Sequence, residues 1–185
     1  MAATPTTNIP LGFLAPAFAL TDAVTGATVT SEDVFSGGPT VVVFMCNHCP
    51  FVVHILEAFV AFAAECRNRG VNVVAISSND VVNYPQDDVP QMKDLAEAHA
   101  FTFPYLYDPT QDVARAYEAA CTPDFSVFDT NRTCVYRGQF DGARPGNDVP
   151  VTGEDLRCVV NLLLQGKPVP SKGQLPSIGC NIKWR

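Results

Sequence analysis

Between Thr40 and Ser77 the chain changes its hydrophobic period twice. Thr40 to Met45 (TVVVFM) is a continuous β-branched and apolar run, as in a strand buried on both faces. From Pro50 to Arg69 the apolar residues Phe51, Ile55, Phe59, Phe62 and Cys66 recur at steps of three or four, and Gly70 follows as a stop, which predicts a long amphipathic helix. Val71 to Ser77 (VNVVAIS) reads as the next buried strand. Strand, helix and strand form a βαβ unit whose parallel strands require a right-handed crossover.

Weaker patterns surround this unit. Residues 1–9 read as a loose arm, and Ala17 to Val34 predicts two short strands around Thr25-Gly26, a hairpin at the entry to the domain. Helices are expected at Pro90–Ala100, with a proline in the first turn, and at Gln111–Ala119, with Thr110 as cap. Phe125–Asp129 and Thr133–Arg137 flank the turn Thr130-Asn131-Arg132 and predict an antiparallel hairpin. A last helix spans Gly153–Gln165, with Thr152 as cap and Asp155 three residues on. Residues 166–185 are a Pro- and Gly-rich tail expected to pack on the domain. The order predicts an α/β chain with a mixed central β-sheet, helices on both faces and an N-terminal β-hairpin extension.

Composition narrows the class. A chain of 185 residues with 47% hydrophobic residues suits one substantial core, so residues 1–185 are read as a single domain. Nineteen acidic residues against twelve Lys and Arg, with no basic run, argue against nucleic acid and acidic membranes as partners. The apolar stretch Leu11–Leu20 is short and broken by Pro16, which argues against a membrane anchor or a leader. Seven cysteines, an odd number, point to reduced thiols in a reducing compartment, hence to the cytoplasm.

Cys46-Asn47-His48-Cys49 stands where the buried strand turns into the helix. Disulfide exchange needs one thiolate to attack and a second thiol near enough to expel the mixed disulfide, and two intervening residues at a helix start provide both. Unpaired amides and the positive end of the helix dipole are expected to acidify Cys46, which would stabilise the reduced form and make the pair more oxidising. A protonated or donating His48 would act in the same direction. The same spacing also serves half of a zinc site, but no second C-x-x-C and no H-x-x-x-H follows. Neither a cofactor nor a resident metal is therefore expected, and a Cys/His metal-binding module remains an alternative.

The segments CNHCPFV, VVAISSND, FPYLYD, CTPDF, YRGQFD and PSIGCNIKW resemble the thioredoxin-like superfamily. Within it they are similar to bacterial thioredoxin-family proteins related to the alkyl hydroperoxide reductase/thiol-specific antioxidant group. The resemblance spans about Pro10 to Arg185. It implies a thioredoxin fold and a thiol–disulfide oxidoreductase in which Cys46 attacks and Cys49 resolves. It further implies a cis-Pro123, with Thr122 offering backbone hydrogen bonds to an extended substrate. Partners would be protein or small-molecule disulfides and a cellular dithiol reductant, and the protein a monomer or homodimer.

Three departures qualify the likeness. Thioredoxin carries a tryptophan before the motif and a buried aspartate six residues before the first cysteine, where this chain has Met45 and Thr40. Asp80, Asp124, His48 or water could then serve as proton acceptor for the resolving thiol, and the sequence does not decide among them. Peroxiredoxins present P-x-x-x-T-x-x-C with the peroxide-attacking cysteine aligned to Cys49, whereas Val42 and Cys46 stand at the proline and threonine positions here. A peroxiredoxin-like thiol peroxidase acting through Cys49 is thus the alternative enzyme. Cys180, near the end of the tail, is a candidate third redox thiol or metal ligand if the tail wraps to the motif, with Trp184 filling space left by Met45. Cys121 lies near the presumed cis-proline but is assigned to packing; Cys66, Cys134 and Cys158 are read as structural, and His54 and His99 as structural or solvated.

Overall fold

The computed structural model describes residues 3–185. In chain order it runs β1 (Ala3–Pro5), β2 (Ala19–Asp22), β3 (Thr28–Thr30), α1 (Ser31–Val34), β4 (Thr40–Phe44), α2 (Pro50–Asn68) and β5 (Asn72–Ser77). A short 3-10 turn at Pro85–Asp87, α3 (Val89–Ala98), β6 (Tyr105–Tyr107) and α4 (Asp112–Ala116) follow. The chain continues through β7 (Cys121–Thr122), β8 (Asp124–Phe128), β9 (Cys134–Gly138), α5 (Glu154–Leu164) and β10 (Ile178–Asn181).

Seven strands form the main sheet in the order β3-β2-β6-β5-β4-β8-β9. β4 pairs in parallel with β5 and antiparallel with β8, so the sheet is mixed, and the β2–β3 hairpin extends it beyond β6. Every residue of β4 is buried because helices cover both faces. Val41 and Val43 pack with α2, α3 and α5, while Val42 and Phe44 face Phe18, Val34, Phe35, Ala114 and Tyr117. This double coverage explains the absence of polar alternation in TVVVF. Beneath α2 the Phe59 ring meets Phe62, Phe103, Phe125 and Phe140 at centroid distances between 5.4 and 6.3 Å. That aromatic cluster holds the helix whose first turn carries the cysteine motif.

A second sheet, β1-β10-β7, lies at the motif end of the molecule. Of the arm expected at residues 1–9, residues 1 and 2 lie outside the described residues, and Ala3–Pro5 is a strand paired with β10 (Ala3↔Cys180), with Thr6 buried behind it. The arm has a partner that local sequence does not reveal, because that partner is the tail. Antiparallel register places Cys180 opposite Thr122. Gly179 approaches Thr122 so closely that an added Cβ would overlap the Thr122 carbonyl, so only glycine fits there.

Two helix starts differ from expectation. α4 is shorter than Gln111–Ala119, because Gln111 takes a left-handed conformation and Glu118 again has positive φ; Thr110 Oγ1 accepts from Asp112 N at 3.3 Å, while the buried Asp108 takes the Ala114 amide at 3.0 Å. At α5 Thr152 does not cap. Asp141, buried and distant in sequence, accepts the Thr152 and Gly153 amides at 2.7 and 2.6 Å, and Asp155 is drawn instead to Gln139. Among the described residues no helix is long and apolar enough to cross a membrane. Replacement of Asp141 with Ala is expected to cost about 1–2 kcal/mol by orphaning these amides, whereas Thr152→Ala should lie within about 0.5 kcal/mol of wild type; urea unfolding of both variants checks the contrast.

Candidate active site

The motif occupies the C-terminal end of β4, between the neighbouring ends of β5 and β8. Cys49 is the N-cap of α2 with extended backbone, Pro50 fills the first helical position, and the Val52 and Val53 amides both bond the Cys49 carbonyl at 2.9 Å. Proline suits that position because it contributes no amide to an already donor-rich helix start. Cys46, Asn47 and His48 therefore form the loop that leads into the helix. Both cysteines are reduced and sealed, Cys46 being 1% and Cys49 0% exposed.

Thr122-Pro123 is a cis peptide facing the pair. The Thr122 hydroxyl lies 3.5 Å from Cys46 Sγ, and Cys49 donates its thiol hydrogen to the Thr122 carbonyl at 3.0 Å. The edge of this segment is not open to an added strand: β10 occupies it, and Thr122 is buried. The groove expected at Thr122-Pro123 is thus filled by the chain's own tail. The tail is secured further on, where the Lys183 amide donates to Asn79 at 2.8 Å and Gln111 bridges to the Lys183 carbonyl and the Arg185 amide. The tail brings Cys180 to hydrogen-bond Cys49, whereas Trp184 is 40% exposed under the Arg115 guanidinium and does not fill space beside Met45.

Hydrogen-bond donors converge on one sulfur. Cys46, the side chain of Thr122, and both the thiol and backbone of Cys180 hydrogen-bond Cys49, and these push its pKa down to about 5, the Cys46 bond contributing most. Donation to Cys49, burial and the nearby Asp87 carboxylate hold the Cys46 thiol well above its usual range. The two thiols titrate as a pair, and the single-thiolate state carries its charge on Cys49. This reverses the acidification expected at Cys46. The physical reason is that Cys46 gives its hydrogen bond to Cys49 and itself lies buried beside a carboxylate. Burial, reinforced by the bond to Cys49, pushes Cys180 up to about 12; burial does the same to Cys66 and Cys134, and raises Cys121 as well. Cys158 is exposed on α5 rather than packed.

The carboxylate at the site is one that sequence reasoning did not identify. Asp87, fully buried on the 3-10 turn, accepts the Asn47 and His48 amides at 2.9 and 3.3 Å and the Asn79 side-chain amide at 2.8 Å, and its Oδ2 lies 2.7 Å from His48 Nδ1. His48 stacks on Tyr84 with ring centroids 5.7 Å apart, and Tyr105 donates to the Asn47 side chain at 3.0 Å. Asp80 is engaged by Asn83, Val82 and Arg185, and Asp124 by Thr6, Ala120 and Arg137. His99 is the C-cap of α3, away from the site. No local pattern marks Asp87, because its part at the site comes from contacts about forty residues away in the chain. One donor atom each from Cys46, His48 and Asp87 falls within 4.8 Å of the others, close enough for a small cation or for proton transfer, but the Asp87 oxygens are already occupied by N–H groups.

Residues 11–137 match the AhpC/TSA family. No curated protein matches the chain. Among solved structures, an uncharacterised conserved protein from Geobacillus kaustophilus is 53% identical with a TM-score of 0.97, covering 100% of this chain and 97% of that one. A hypothetical protein from Sinorhizobium meliloti 1021 is 47% identical with a TM-score of 0.95, covering 98% of each chain. The peroxidoxin BcpB from Mycobacterium tuberculosis (20% identity, TM-score 0.63, 86% of this chain and 98% of that one) and a putative thiol:disulfide interchange protein DsbE from Chlorobium tepidum (20%, 0.66, 85% and 99%) share the thioredoxin fold.

Because the Cys49 pKa is lowered, the ultraviolet absorbance of one thiolate should appear as pH rises through about 5 in the reduced protein. It should vanish in Cys49→Ser and move to higher pH in Cys46→Ala, which removes the largest stabilising bond; spectrophotometric titration of the three proteins checks this.

Proposed function

The chain belongs to the AhpC/TSA family, and from that premise we propose a thiol–disulfide oxidoreductase that cycles Cys46 and Cys49 between dithiol and disulfide. The observation that carries this reading is the seating of both buried cysteines on cis-Thr122-Pro123, with the Thr122 hydroxyl 3.5 Å from Cys46 Sγ and the Cys49 thiol donating to the Thr122 carbonyl at 3.0 Å. Cys49 attacks as the thiolate: it bonds to one sulfur of the substrate disulfide, that S–S bond breaks, and the departing thiolate takes a proton. Cys46 then loses its proton and bonds to Cys49, expelling the second substrate thiolate. Two electrons pass from the pair to the disulfide, and a cellular dithiol restores the pair by the reverse exchange. Seven free thiols support work in a reducing compartment, the cytoplasm.

A second reading rests on the sealing of the site. With both sulfurs buried and β10 on the Thr122 edge, a small oxidant reaches Cys49 more readily than a polypeptide does. With a hydroperoxide, Cys49 would take the terminal oxygen as the O–O bond breaks and an alcohol or water leaves. Cys46 would then condense with the sulfenic acid, releasing water and forming the same disulfide.

Rapid mixing of the reduced protein with a hydroperoxide, a small disulfide and a peptide disulfide, with mass-spectrometric identification of the first cysteine modified, tests both readings. Cys49→Ser should lose the first step by about a thousandfold or more, and Cys46→Ser should accumulate an adduct on Cys49. Faster reaction with peroxide than with either disulfide selects the second reading; absence of a Cys46–Cys49 disulfide, with stoichiometric metal in chelator-free protein, overturns both. Gly179→Val, which forces β10 off Thr122, should speed the peptide disulfide relative to the small one.

A further inference from the structure

Closing the Cys46–Cys49 disulfide requires Cys46 to surrender a proton inside a buried site. The Thr122 hydroxyl beside it is no base, and Thr40, where thioredoxin carries its buried aspartate, spends its hydroxyl on the Val34 and Gly38 carbonyls. Asp80 and Asp124 are bound elsewhere. The groups that face Cys46 are Cys49, Thr122, Tyr105, His48 and Asp87. Tyr105 is a buried phenol whose proton is held firmly, first by burial and then by the charges around it. His48 and Asp87 remain.

Resting on the oxidoreductase reading above, we propose that His48 receives the Cys46 proton in the closing step and that Asp87 is the positioning residue that makes this possible. One Asp87 oxygen fixes the loop by accepting the Asn47 and His48 amides; the other lies 2.7 Å from His48 Nδ1, an ion-pair contact beside the ring. Tyr84 stacks on the ring at 5.7 Å, with the Lys183 ammonium on Tyr84, and completes the support. A carboxylate behind an imidazole stabilises the imidazolium formed when the ring accepts a proton. Donor atoms of Cys46, His48 and Asp87 within 4.8 Å of one another leave a span that one bridging water closes. The step balances: the Cys46 proton moves to His48, the freed sulfur pair bonds Cys49, the bond from Cys49 to its adduct breaks, and the imidazolium returns its proton to the departing group or to water.

The sign of the Asp87 effect separates this role from simple electrostatics. The negative charge of Asp87 opposes ionisation of Cys46, so a purely electrostatic role makes Asp87→Asn close the disulfide faster. The relay makes it close slower. In single turnover with a small disulfide, two phases are followed by rapid quench and mass spectrometry: adduct on Cys49, then Cys46–Cys49 disulfide. The expected result is that Asp87→Asn and His48→Gln each slow the second phase by about a hundredfold and change its pH profile but not that of the first. The double variant should be no slower than either single one, because the two residues act as a unit. His48→Ala should recover the second phase when imidazole is added. An unchanged or faster second phase in Asp87→Asn, additive losses, or equal slowing of both phases overturns the proposal. If the wild-type protein forms no Cys46–Cys49 disulfide, the oxidoreductase reading itself fails, independently of the variants.

Discussion

Donation of hydrogen bonds to the Cys49 sulfur is the interaction around which the site is organised. Three parts of the chain converge on this N-cap residue of α2: the loop that follows β4, the Thr122-Pro123 segment and the C-terminal strand. Each is held by packing that has nothing to do with sulfur, above all the phenylalanine cluster under α2 and the three-stranded β1-β10-β7 sheet. Packing holds these groups in place around Cys49, whose own thiol hydrogen goes to the Thr122 carbonyl in the neutral state. Preorganisation of this kind acidifies a thiol without a neighbouring cation, and it acts most strongly where water is excluded.

The same arrangement divides labour between the two cysteines. Cys49 gathers donors, whereas Cys46 faces a buried carboxylate and retains its proton. The lower proton affinity at Cys49 follows from the donors around it. In this chain Pro50 opens the helix directly after the second cysteine, which makes Cys49 the N-cap and leaves Cys46 in the preceding loop. A peroxidoxin and a putative thiol:disulfide interchange protein share this fold.

The parts legible in sequence are those with a local period. TVVVFM, the three- and four-residue spacing from Phe51 to Cys66, and VNVVAIS each declare their structure within a few residues, and the βαβ unit follows from them. Short strands such as Cys121–Thr122 and Ile178–Asn181 have no period to read, since they exist only because they pair with each other. The Thr152 cap failed for a related reason: a distant carboxylate, Asp141, reached the amides first. At the site, the cysteine pair, His48, Thr122-Pro123 and Cys180 could all be picked out as chemistry-bearing residues. Asp87 could not, because an aspartate in a polar loop looks like any solvated turn residue until the fold buries it.

Sealing the sulfurs beneath β10 ties their reactivity to local unfolding. A small reagent reaches the sulfurs through a slight local opening, but a bulky one meets only those molecules whose tail has lifted. The free energy of that opening then sets a ceiling on the bulky reaction, each 1.4 kcal/mol or so lowering the reactive population about tenfold. Size becomes a kinetic filter that the fold imposes before any chemistry begins. The rate ratio between a small and a large thiol reagent accordingly reads out, on the intact protein, how firmly its last strand is fastened.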